Sequence, residues 1–396
     1  MNVTKMVEDI RREAGRLHEG QMGLLRDLVS HDSGTGDLEG NGEVVGALEP
    51  LLAGLAWEVE RREAPGVGTH LVARVGMRGA RRKVLCLAHL DTVFGTGDAA
   101  RHPFRIEGDR AYGLGVADCK GGVVVSLYGL MVAHGLGLIP RDLEIAVIYN
   151  CDEETGSETS KPIFESEARG ASLAFVFEPA RGRGGVITSR RGCAFGRVEV
   201  DGREAHGGSA YPAGSDANLA LARIVASLGS HGLPSRGIFF NVGTMSGGRH
   251  ADIVSDRARA DFFVTFADND DLAYIRQTVE KVDGSVWAPG CRSRASVGVS
   301  FPPLERTEGN IAAYGLLRKA GQGLGLDLPE ESSPGSSDGC WCGHYGVPVI
   351  DALGPYMHDI HTKEESLALA SVRERTELFA LAVALLDEEY LGRQGR

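Results

Sequence analysis

The sequence predicts an α/β protein with a mainly parallel central sheet, into which a second α+β domain of ferredoxin-like order is inserted. Up to about residue 177, apolar runs with the length of strands alternate with helical segments, a pattern typical of a parallel sheet covered by helices. Beyond residue 195 the order becomes strand, helix, strand, strand, helix, strand, which is the ferredoxin-like arrangement. A length of 396 residues also favours two domains over one.

The first part of the chain begins with two predicted helices, separated by a polar loop rich in glycine, aspartate and serine. The helix assignments rest on apolar residues at helical spacing, and Gly135 suits the C-terminal end of the third helix. The strand assignments rest on short apolar runs rich in β-branched residues. We predict helices at 5–30, 42–55 and 121–134, and strands at 57–62, 69–75, 83–88, 143–150 and 172–177.

The inserted domain is predicted to span 187–298, which makes the main domain discontinuous, formed by 1–186 and 299–396. Phe301-Pro-Pro303 marks the return to the main domain. Within the insert we predict strands at 195–201, 237–245, 257–266 and 294–301, with helices at 215–228 and 270–282. The remainder is predicted to contain helix 309–322, a serine- and glycine-rich loop at 332–339, strand 347–351 and a last helix at 371–390.

Three consecutive acids, Asp152, Glu153 and Glu154, follow the predicted strand 143–150 directly. Adjacent carboxylates repel one another, and a protein interior does not tolerate them without a partner. Taken alone, the triplet would also suit a solvated acidic turn. If the turn is buried, the triplet predicts a cation beside it.

Two further apolar runs end in potential metal ligands. His89 follows the run that begins at Val84, and Glu178 follows the run 171–177. Asp118 lies between them in a glycine-rich loop before a helical segment. In an open α/β sheet, ligands gather outside the carboxyl ends of the strands. One imidazole and several carboxylates at that rim are a ligand set for a divalent metal ion, so we predict a metal site.

Composition and charge exclude several classes of function. A net charge of −12 argues against a nucleic-acid partner or an anionic membrane surface. Residues 1–20 contain no apolar core of a signal peptide, and no run of 18 apolar residues predicts a membrane span. Seven cysteines without framework spacing suggest free thiols in a reducing compartment. We therefore expect a cytoplasmic protein.

Five spaced motifs carry a resemblance to a known family. They are, in chain order, His89-Leu-Asp91, Gly113-Leu-Gly-Val-Ala-Asp118-Cys-Lys-Gly-Gly122, Asp152-Glu-Glu-Thr-Gly156, Phe177-Glu-Pro179 and His361-Thr-Lys-Glu-Glu365. Together they resemble the di-zinc aminoacylase/carboxypeptidase family, which includes glutamate carboxypeptidase, succinyl-diaminopimelate desuccinylase and acetylornithine deacetylase. The resemblance spans nearly the whole chain. It implies a zinc-peptidase catalytic domain, with the insert as a lid and dimerisation domain.

Carried over by position, the resemblance implies two Zn²⁺ ions, with Co²⁺ or Mn²⁺ as alternatives. Asp118 would bridge the two ions. His89 and Glu178 would complete the first site, and Glu154 and His361 the second. His358, three residues before His361, is a second candidate ligand, but the motif selects His361.

The resemblance also implies roles for residues that do not bind metal. Glu153 resembles the family's general base, and a glutamate beside a metal-binding glutamate can face the attacking water. Asp91, two residues past His89, would accept the other ring N–H and fix the tautomer. The peptide after the bridging aspartate is often cis in the family, so we expect a cis bond between Asp118 and Cys119.

His206, in Gly202-Arg-Glu-Ala-His206-Gly-Gly208, lies in the predicted insert. Without the family motif it would be a surface histidine in a turn. In the family this histidine reaches the active site of the partner subunit and stabilises the oxyanion. The resemblance therefore implies a homodimer formed through the lid domain, with His206 acting in trans.

The sequence departs from the family where the substrate is recognised. Members commonly carry an arginine that grips the substrate carboxylate, and Thr265 stands at its place. Asp252 stands where the family commonly has an asparagine. Loss of a charge-assisted hydrogen bond costs about 1.5–3 kcal/mol. Arg249, His250 or Arg257 could replace the missing cation, which leaves Asp252, Thr265 and Arg249 as candidate substrate-binding residues.

The leading hypothesis is a metal-dependent hydrolase that cleaves an amide bond of a small N-acyl amino acid or dipeptide-like substrate, as a glutamate carboxypeptidase does. Deacylation or desuccinylation of an amino compound is the alternative, because Thr265 weakens carboxylate recognition. A metal-binding dimer without catalysis is a third possibility. The intact Glu153 argues against it, because a scaffold needs no base beside its metals.

Overall fold

The computed structural model describes residues 3–182 and 184–386. The chain divides into two compact units. The first comprises the described parts of Met1–Ser189, Arg306–Ser333 and Ser337–Arg396, and the second comprises Arg190–Glu305 and Pro334–Ser336. The roles of these units as catalytic and lid domains stay predictions at this point.

Ten α-helices lie in the described residues. In chain order they are α1 (Val3–Ser30), α2 (Leu38–Ala53), α3 (Asp98–Arg101), α4 (Lys120–Gly135), α5 (Lys161–Ala168), α6 (Ala217–Ser230), α7 (Asn269–Val282), α8 (Glu308–Leu324), α9 (Gly339–His344) and α10 (Leu369–Ala384).

The strands of the described residues form four sheets. In chain order they are β1 (Glu58–Ala64), β2 (Gly68–Gly76), β3 (Arg82–His89), β4 (Arg105–Glu107), β5 (Arg110–Tyr112), β6 (Leu143–Asn150), β7 (Ala171–Val176), β8 (Val186–Arg190), β9 (Gly192–Asp201), β10 (Phe239–Gly247), β11 (Arg257–Phe266), β12 (Arg292–Phe301), β13 (Glu330–Ser333), β14 (Val349–Ile350), β15 (Met357–His358) and β16 (Ser366–Ala368).

The central sheet of the first unit has the strand order β1-β2-β6-β3-β7-β14. β6, β3, β7 and β14 pair in parallel, whereas β1 and β2 are antiparallel to their neighbours. β3, β6 and β7 are almost continuously buried, as expected of parallel strands covered on both faces. The predicted α/β class with a mainly parallel sheet is confirmed.

The second unit contains the antiparallel sheet β10-β11-β9-β12. Helices α6 and α7 pack on its buried face, around a separate apolar core that includes Leu221, Ile224 and Ile275. The strand and helix order is the predicted ferredoxin-like one, because each observed element overlaps the predicted one.

Helix α4 is the central helix of the first unit and packs against α10 and α1. It begins where the chain comes very close to the end of β7. A Cβ atom on Gly122 would lie 1.9 Å from the main-chain oxygen of Phe177, so no residue larger than glycine fits there without a backbone shift. This close approach brings the loop before α4 beside the strand end that precedes Glu178.

Several boundaries differ from the predictions for identifiable reasons. α2 begins at Leu38 rather than at 42, because the Asp37 side chain accepts a hydrogen bond from Gly40 N and caps the helix. The last helix spans Leu369–Ala384, and the predicted residues 387–390 lie outside the described residues. The short strands β4, β5, β8, β13, β15 and β16 escaped prediction because two to five residues are too few to show periodicity. Among the described residues, no helix is both long and apolar enough to cross a bilayer.

Candidate metal centre

The carboxyl ends of β3, β6 and β7 meet at one edge of the central sheet. His89 is the last residue of β3, and it lies opposite Asn150, the last residue of β6. Glu178 follows the end of β7 by two residues. The carboxyl ends of parallel strands lie at the same edge of a sheet. Polar residues from three segments that are far apart in sequence therefore lie close together.

The first candidate group consists of His89, Asp118 and Glu178. His89 Nε2 lies 3.2 Å from Asp118 Oδ1 and 3.7 Å from Glu178 Oε1. Cys119 Sγ is also within reach of this group, but it donates a hydrogen bond to Phe177 O at 3.1 Å. Burial raises the pKa of the Cys119 thiol well above its usual range. Because its hydrogen is engaged by a main-chain oxygen, this thiol is a weaker candidate ligand than the two carboxylates.

The second candidate group consists of Asp118, Glu154 and His361. His361 Nε2 lies 3.1 Å from Asp118 Oδ2 and 3.5 Å from Glu154 Oε2. Asp118 thus turns one carboxylate oxygen toward each histidine, which is the arrangement of a bridging ligand. The peptide between Asp118 and Cys119 is cis, as predicted. His361 has a φ of 61°, which is uncommon for a residue other than glycine.

The electrostatic field of the two groups favours cations. Burial opposes ionisation of Asp118, but hydrogen bonds from His361 and His89 outweigh it and hold the pKa of Asp118 well below its usual range. The hydrogen bond to Asp118 raises the pKa of His361 to about 9. Imidazole nitrogens and carboxylate oxygens are ligands that suit Zn²⁺. The residues therefore fit a pair of divalent ions that share Asp118.

Asp91 has a different set of partners from the predicted one. His89 Nδ1 donates to the main-chain oxygen of Asp91 at 2.9 Å, whereas Oδ1 is 3.5 Å away. The tautomer is still fixed, since Nε2 is left to face the ligands. The Asp91 carboxylate instead accepts Glu153 N at 3.1 Å and Glu154 N at 3.2 Å. It also accepts the Thr35 hydroxyl at 2.6 Å.

The three consecutive acids have separate surroundings. The Asp152 carboxylate accepts hydrogen bonds from Thr159 N and Thr159 Oγ1, both at 2.7 Å, and from Ser160 Oγ at 2.6 Å. Among the described residues it belongs to neither candidate ligand group. Only Glu154 of the three enters such a group. Of the three acids, Glu154 is therefore the candidate ligand of the predicted cation. Asp152 instead stabilises the turn through its hydrogen bonds.

Glu153 lies in the 3-10 turn Glu153–Thr155 and belongs to neither ligand group. Burial, and the nearby carboxylates Glu178 and Asp338, raise the pKa of Glu153 well above its usual range. Asp338 is buried and accepts the Ser157 hydroxyl at 2.5 Å. Glu153 therefore holds a proton more strongly than an exposed glutamate does, which suits a group that accepts and returns one.

Glu365 is a site residue whose role the sequence analysis missed. Its carboxylate accepts the main-chain N–H groups of Gly115, Ala117 and Asp118. In the sequence it was visible only as the acid four residues after His361. An acid placed directly before the apolar strand β16 was the available signal.

The remaining predicted residues lie in the second unit. Arg249 forms an ion pair with Glu204, and Thr265 Oγ1 donates to Gly237 O at 3.1 Å. Asp252 is exposed, and its main-chain oxygen accepts Gly207 N at 2.6 Å. Thr265 and Arg249 thus have partners within their own unit, and Asp252 presents its side chain to solvent.

His206 is exposed on a turn of the second unit. Its Nδ1 accepts the main-chain N–H groups of Gly208, at 3.0 Å, and Ser209, at 3.2 Å. An Nδ1 that accepts cannot carry the proton in the neutral ring, so the proton is on Nε2. His206 therefore presents an N–H donor.

Comparison with known families agrees with this geometry. The model of peptidase family M20/M25/M40 matches residues 85–385. The chain belongs to this family.

Two relatives and one solved structure illustrate the family. The chain is 30% identical to carboxypeptidase G2 of Pseudomonas sp. (strain RS-16), over 92% of this chain and 88% of the relative. It is 27% identical to succinyl-diaminopimelate desuccinylase of Rhodospirillum centenum, over 94% of this chain and 98% of the relative. A dinuclear metal-binding M20 peptidase of Bacillus subtilis has a similar fold, with a TM-score of 0.70, 14% identity and coverage of 94% and 99%. The predicted family and the general class, a metal-dependent hydrolase of amide bonds, are confirmed.

The two histidines near residue 360 allow a matched test of the second ligand group. We expect His361→Ala to reduce the number of tightly bound Zn²⁺ ions from about two to about one, because the Asp118–Glu154 pair then lacks its imidazole. His358→Ala should retain both ions. Metal analysis after gel filtration measures the difference. Equal stoichiometry in the two variants, or loss confined to His358→Ala, would reject His361 as the ligand.

Proposed function

We propose that the chain is a di-zinc hydrolase that cleaves an amide bond of a small N-acyl amino acid or dipeptide-like substrate, as a carboxypeptidase does. One observation carries the proposal: Asp118 directs one oxygen toward His361 and the other toward His89. Asp118, His89 and Glu178 would hold one ion, and Asp118, Glu154 and His361 the other. Co²⁺ or Mn²⁺ would suit the same ligands less specifically.

When bound, the ions would polarise the amide carbonyl and lower the pKa of the attacking water. Glu153 would accept the proton of that water as its oxygen adds to the carbonyl carbon. The C–N bond then breaks, and Glu153 returns the proton to the leaving nitrogen, which gives a carboxylic acid and an amine. Asp91 supports this step because it fixes the main chain of Glu153 and Glu154.

His206 is proposed to stabilise the developing oxyanion in the partner subunit of a dimer formed through the second unit. The Nε2 tautomer supports this role, since it leaves an N–H to donate to a negative oxygen. The exposed position of His206 is also compatible with a contact outside its own subunit.

The substrate is the point at which two functions compete. A carboxypeptidase would need a cation for the free carboxylate of its substrate, and Thr265 donates its hydroxyl to Gly237 O instead. Arg249, one of the candidate replacements, is already paired with Glu204. These contacts favour, as second candidate, a deacylase that releases an amino compound. Candidate substrate contacts stay Asp252, Thr265 and Arg249.

A cytoplasmic location is proposed from the thiols. All seven cysteines lie in the described residues and outside any disulfide, and all except Cys193 are buried. Proteins of oxidising compartments commonly pair their cysteines, whereas proteins of the cytoplasm keep them reduced.

The role of Glu153 is tested by its amide. We expect Glu153→Gln to lower kcat by about 10²–10⁴ with both metals still bound, because the amide cannot accept the proton of the water. Glu158→Gln, an exposed glutamate in the same segment, is the matched control and should keep wild-type turnover. Steady-state kinetics with metal analysis checks both variants. Wild-type turnover by Glu153→Gln would overturn the assignment.

A hybrid dimer tests the action of His206 in trans. Co-expression of His206→Ala and Glu153→Gln chains with different tags yields a dimer in which one site contains both intact residues. We expect each parent dimer to be nearly inactive and the purified hybrid to recover about half of the wild-type activity, since one of its two sites is complete. A hybrid as inactive as its parents would exclude the trans arrangement.

A substrate panel separates the two candidate reactions. N-acyl amino acids with a free α-carboxylate are compared with the same acyl groups on amines that lack it, and kcat/KM is measured for each. A carboxypeptidase should favour the first set by at least about tenfold, which corresponds to one charge-assisted hydrogen bond. Preference for the second set would establish the deacylase, and no turnover of either set would favour a non-catalytic metal protein.

A further inference from the structure

Glu365 is a carboxylate placed entirely inside the first unit. Only 1% of the residue is exposed, and a charge so buried requires hydrogen-bond partners. Oε2 accepts Gly115 N at 2.9 Å, and Oε1 accepts Ala117 N at 2.9 Å and Asp118 N at 3.0 Å. All three donors belong to the loop that precedes α4. The loop is therefore wrapped around the carboxyl group of Glu365.

The main chain reinforces this connection. Gly113 N donates to Glu365 O at 3.3 Å, and Glu365 N donates to Thr362 O at 3.2 Å. The next residue, Ser366, begins β16 and pairs with Tyr112 at the end of β5. β5 leads into the loop with Asp118, and the turn with His361 leads into β16. The pairing of these two strands therefore brings together the two segments that Glu365 joins.

The loop is shaped to accept the carboxylate. Gly115 has a φ of 72°, and a Cβ atom there would lie 2.6 Å from Thr92 Cγ2. A glycine is therefore required at this position, and its freedom allows the N–H groups of Gly115 and Ala117 to turn to the same side.

Buried Lys120 adds a positive charge near the loop. Its Nζ donates to His31 O at 2.9 Å. The amides of the loop are thus held by Glu365, and the end of the loop is held by Lys120.

We propose that Glu365 is a positioning residue that joins the Asp118 loop to the His361 turn and thereby sets the affinity of the Asp118–Glu154–His361 group for its ion. The inference rests on the proposed dinuclear function. It goes further than that function, because Glu365 belongs to neither ligand group. The inference assigns to Glu365 the assembly of the Asp118–Glu154–His361 group.

The two halves of the centre depend on Glu365 to different degrees. His89 is the last residue of β3 and Glu178 lies two residues after the end of β7, so the central sheet holds two of the three ligands of the first group. In the second group, Asp118 and His361 both lie on segments joined by Glu365. Loss of Glu365 should therefore weaken the second group more than the first.

Glu365→Gln and Glu364→Gln form a matched pair for the test. Each replaces a glutamate by its amide, and the two positions are one residue apart, but Glu364 is 73% exposed and lies 3.5 Å from Arg105. In Glu365→Gln the amide oxygen can still accept Ala117 N and Asp118 N, while the amide NH₂ faces the N–H of Gly115. Apoprotein is titrated with Zn²⁺ against a competing chelator, and Co²⁺-loaded protein is examined by visible absorption.

We expect wild type and Glu364→Gln each to bind two Zn²⁺ ions, and each ion to bind with the same affinity in both proteins. Glu365→Gln should bind one ion nearly as tightly as wild type and the other about 10–100-fold more weakly, with a changed Co²⁺ spectrum. Two unchanged affinities would overturn the inference, as would equal weakening of both. If wild type itself binds fewer than two ions, the dinuclear function fails instead.

Hydrogen exchange of the wild-type apoprotein keeps the test decisive if Glu365→Gln does not fold. We expect the amides of Gly115, Ala117 and Asp118 to exchange far more slowly than those of an open loop, because each is bonded to the buried carboxylate. Exchange of these three amides at the rate of an unprotected loop would show that the connection does not form, and the inference would be wrong.

Discussion

The mutual repulsion of buried carboxylates at one edge of the central sheet is the constraint on which the rest of the structure depends. The strand ends bring Glu154 and Glu178 to the two sides of Asp118, where they lie opposite His361 and His89. Charges in such surroundings must be neutralised. Two divalent cations would neutralise them and would convert the same repulsion into a binding site.

The acids around this centre fall into two groups according to the partners of their carboxylates. The carboxylates of Asp91, Asp152 and Glu365 accept several main-chain or hydroxyl donors each, and each of them fixes a segment that carries a ligand or the proposed base. The carboxylates of Glu154 and Glu178 lie opposite imidazoles. A carboxylate that accepts hydrogen bonds from amides or hydroxyls therefore shapes the site, whereas a carboxylate opposite an imidazole is available to a metal ion.

Much of this was predictable because sequence order and strand geometry are closely linked. The residues at the ends of β3, β6 and β7 must meet if the strands are parallel, so His89 and Glu178 could be grouped before any coordinates existed. The partners of Asp91 could not, since they depend on the main-chain direction of a turn 62 residues away. Glu365 escaped for a similar reason, because its three donors lie about 250 residues earlier. Thr265 could be recognised as a departure, but its bond to Gly237 required the folded hairpin.

The central claim is that two ions occupy the groups that share Asp118. Anomalous diffraction from a crystal of the Zn²⁺-loaded protein, recorded above and below the zinc absorption edge, tests it most directly. The account predicts two anomalous peaks, one in bonding contact with His89 and Glu178, the other with Glu154 and His361, and both with Asp118. A single peak, peaks at other residues, or no peak in fully loaded protein would contradict it.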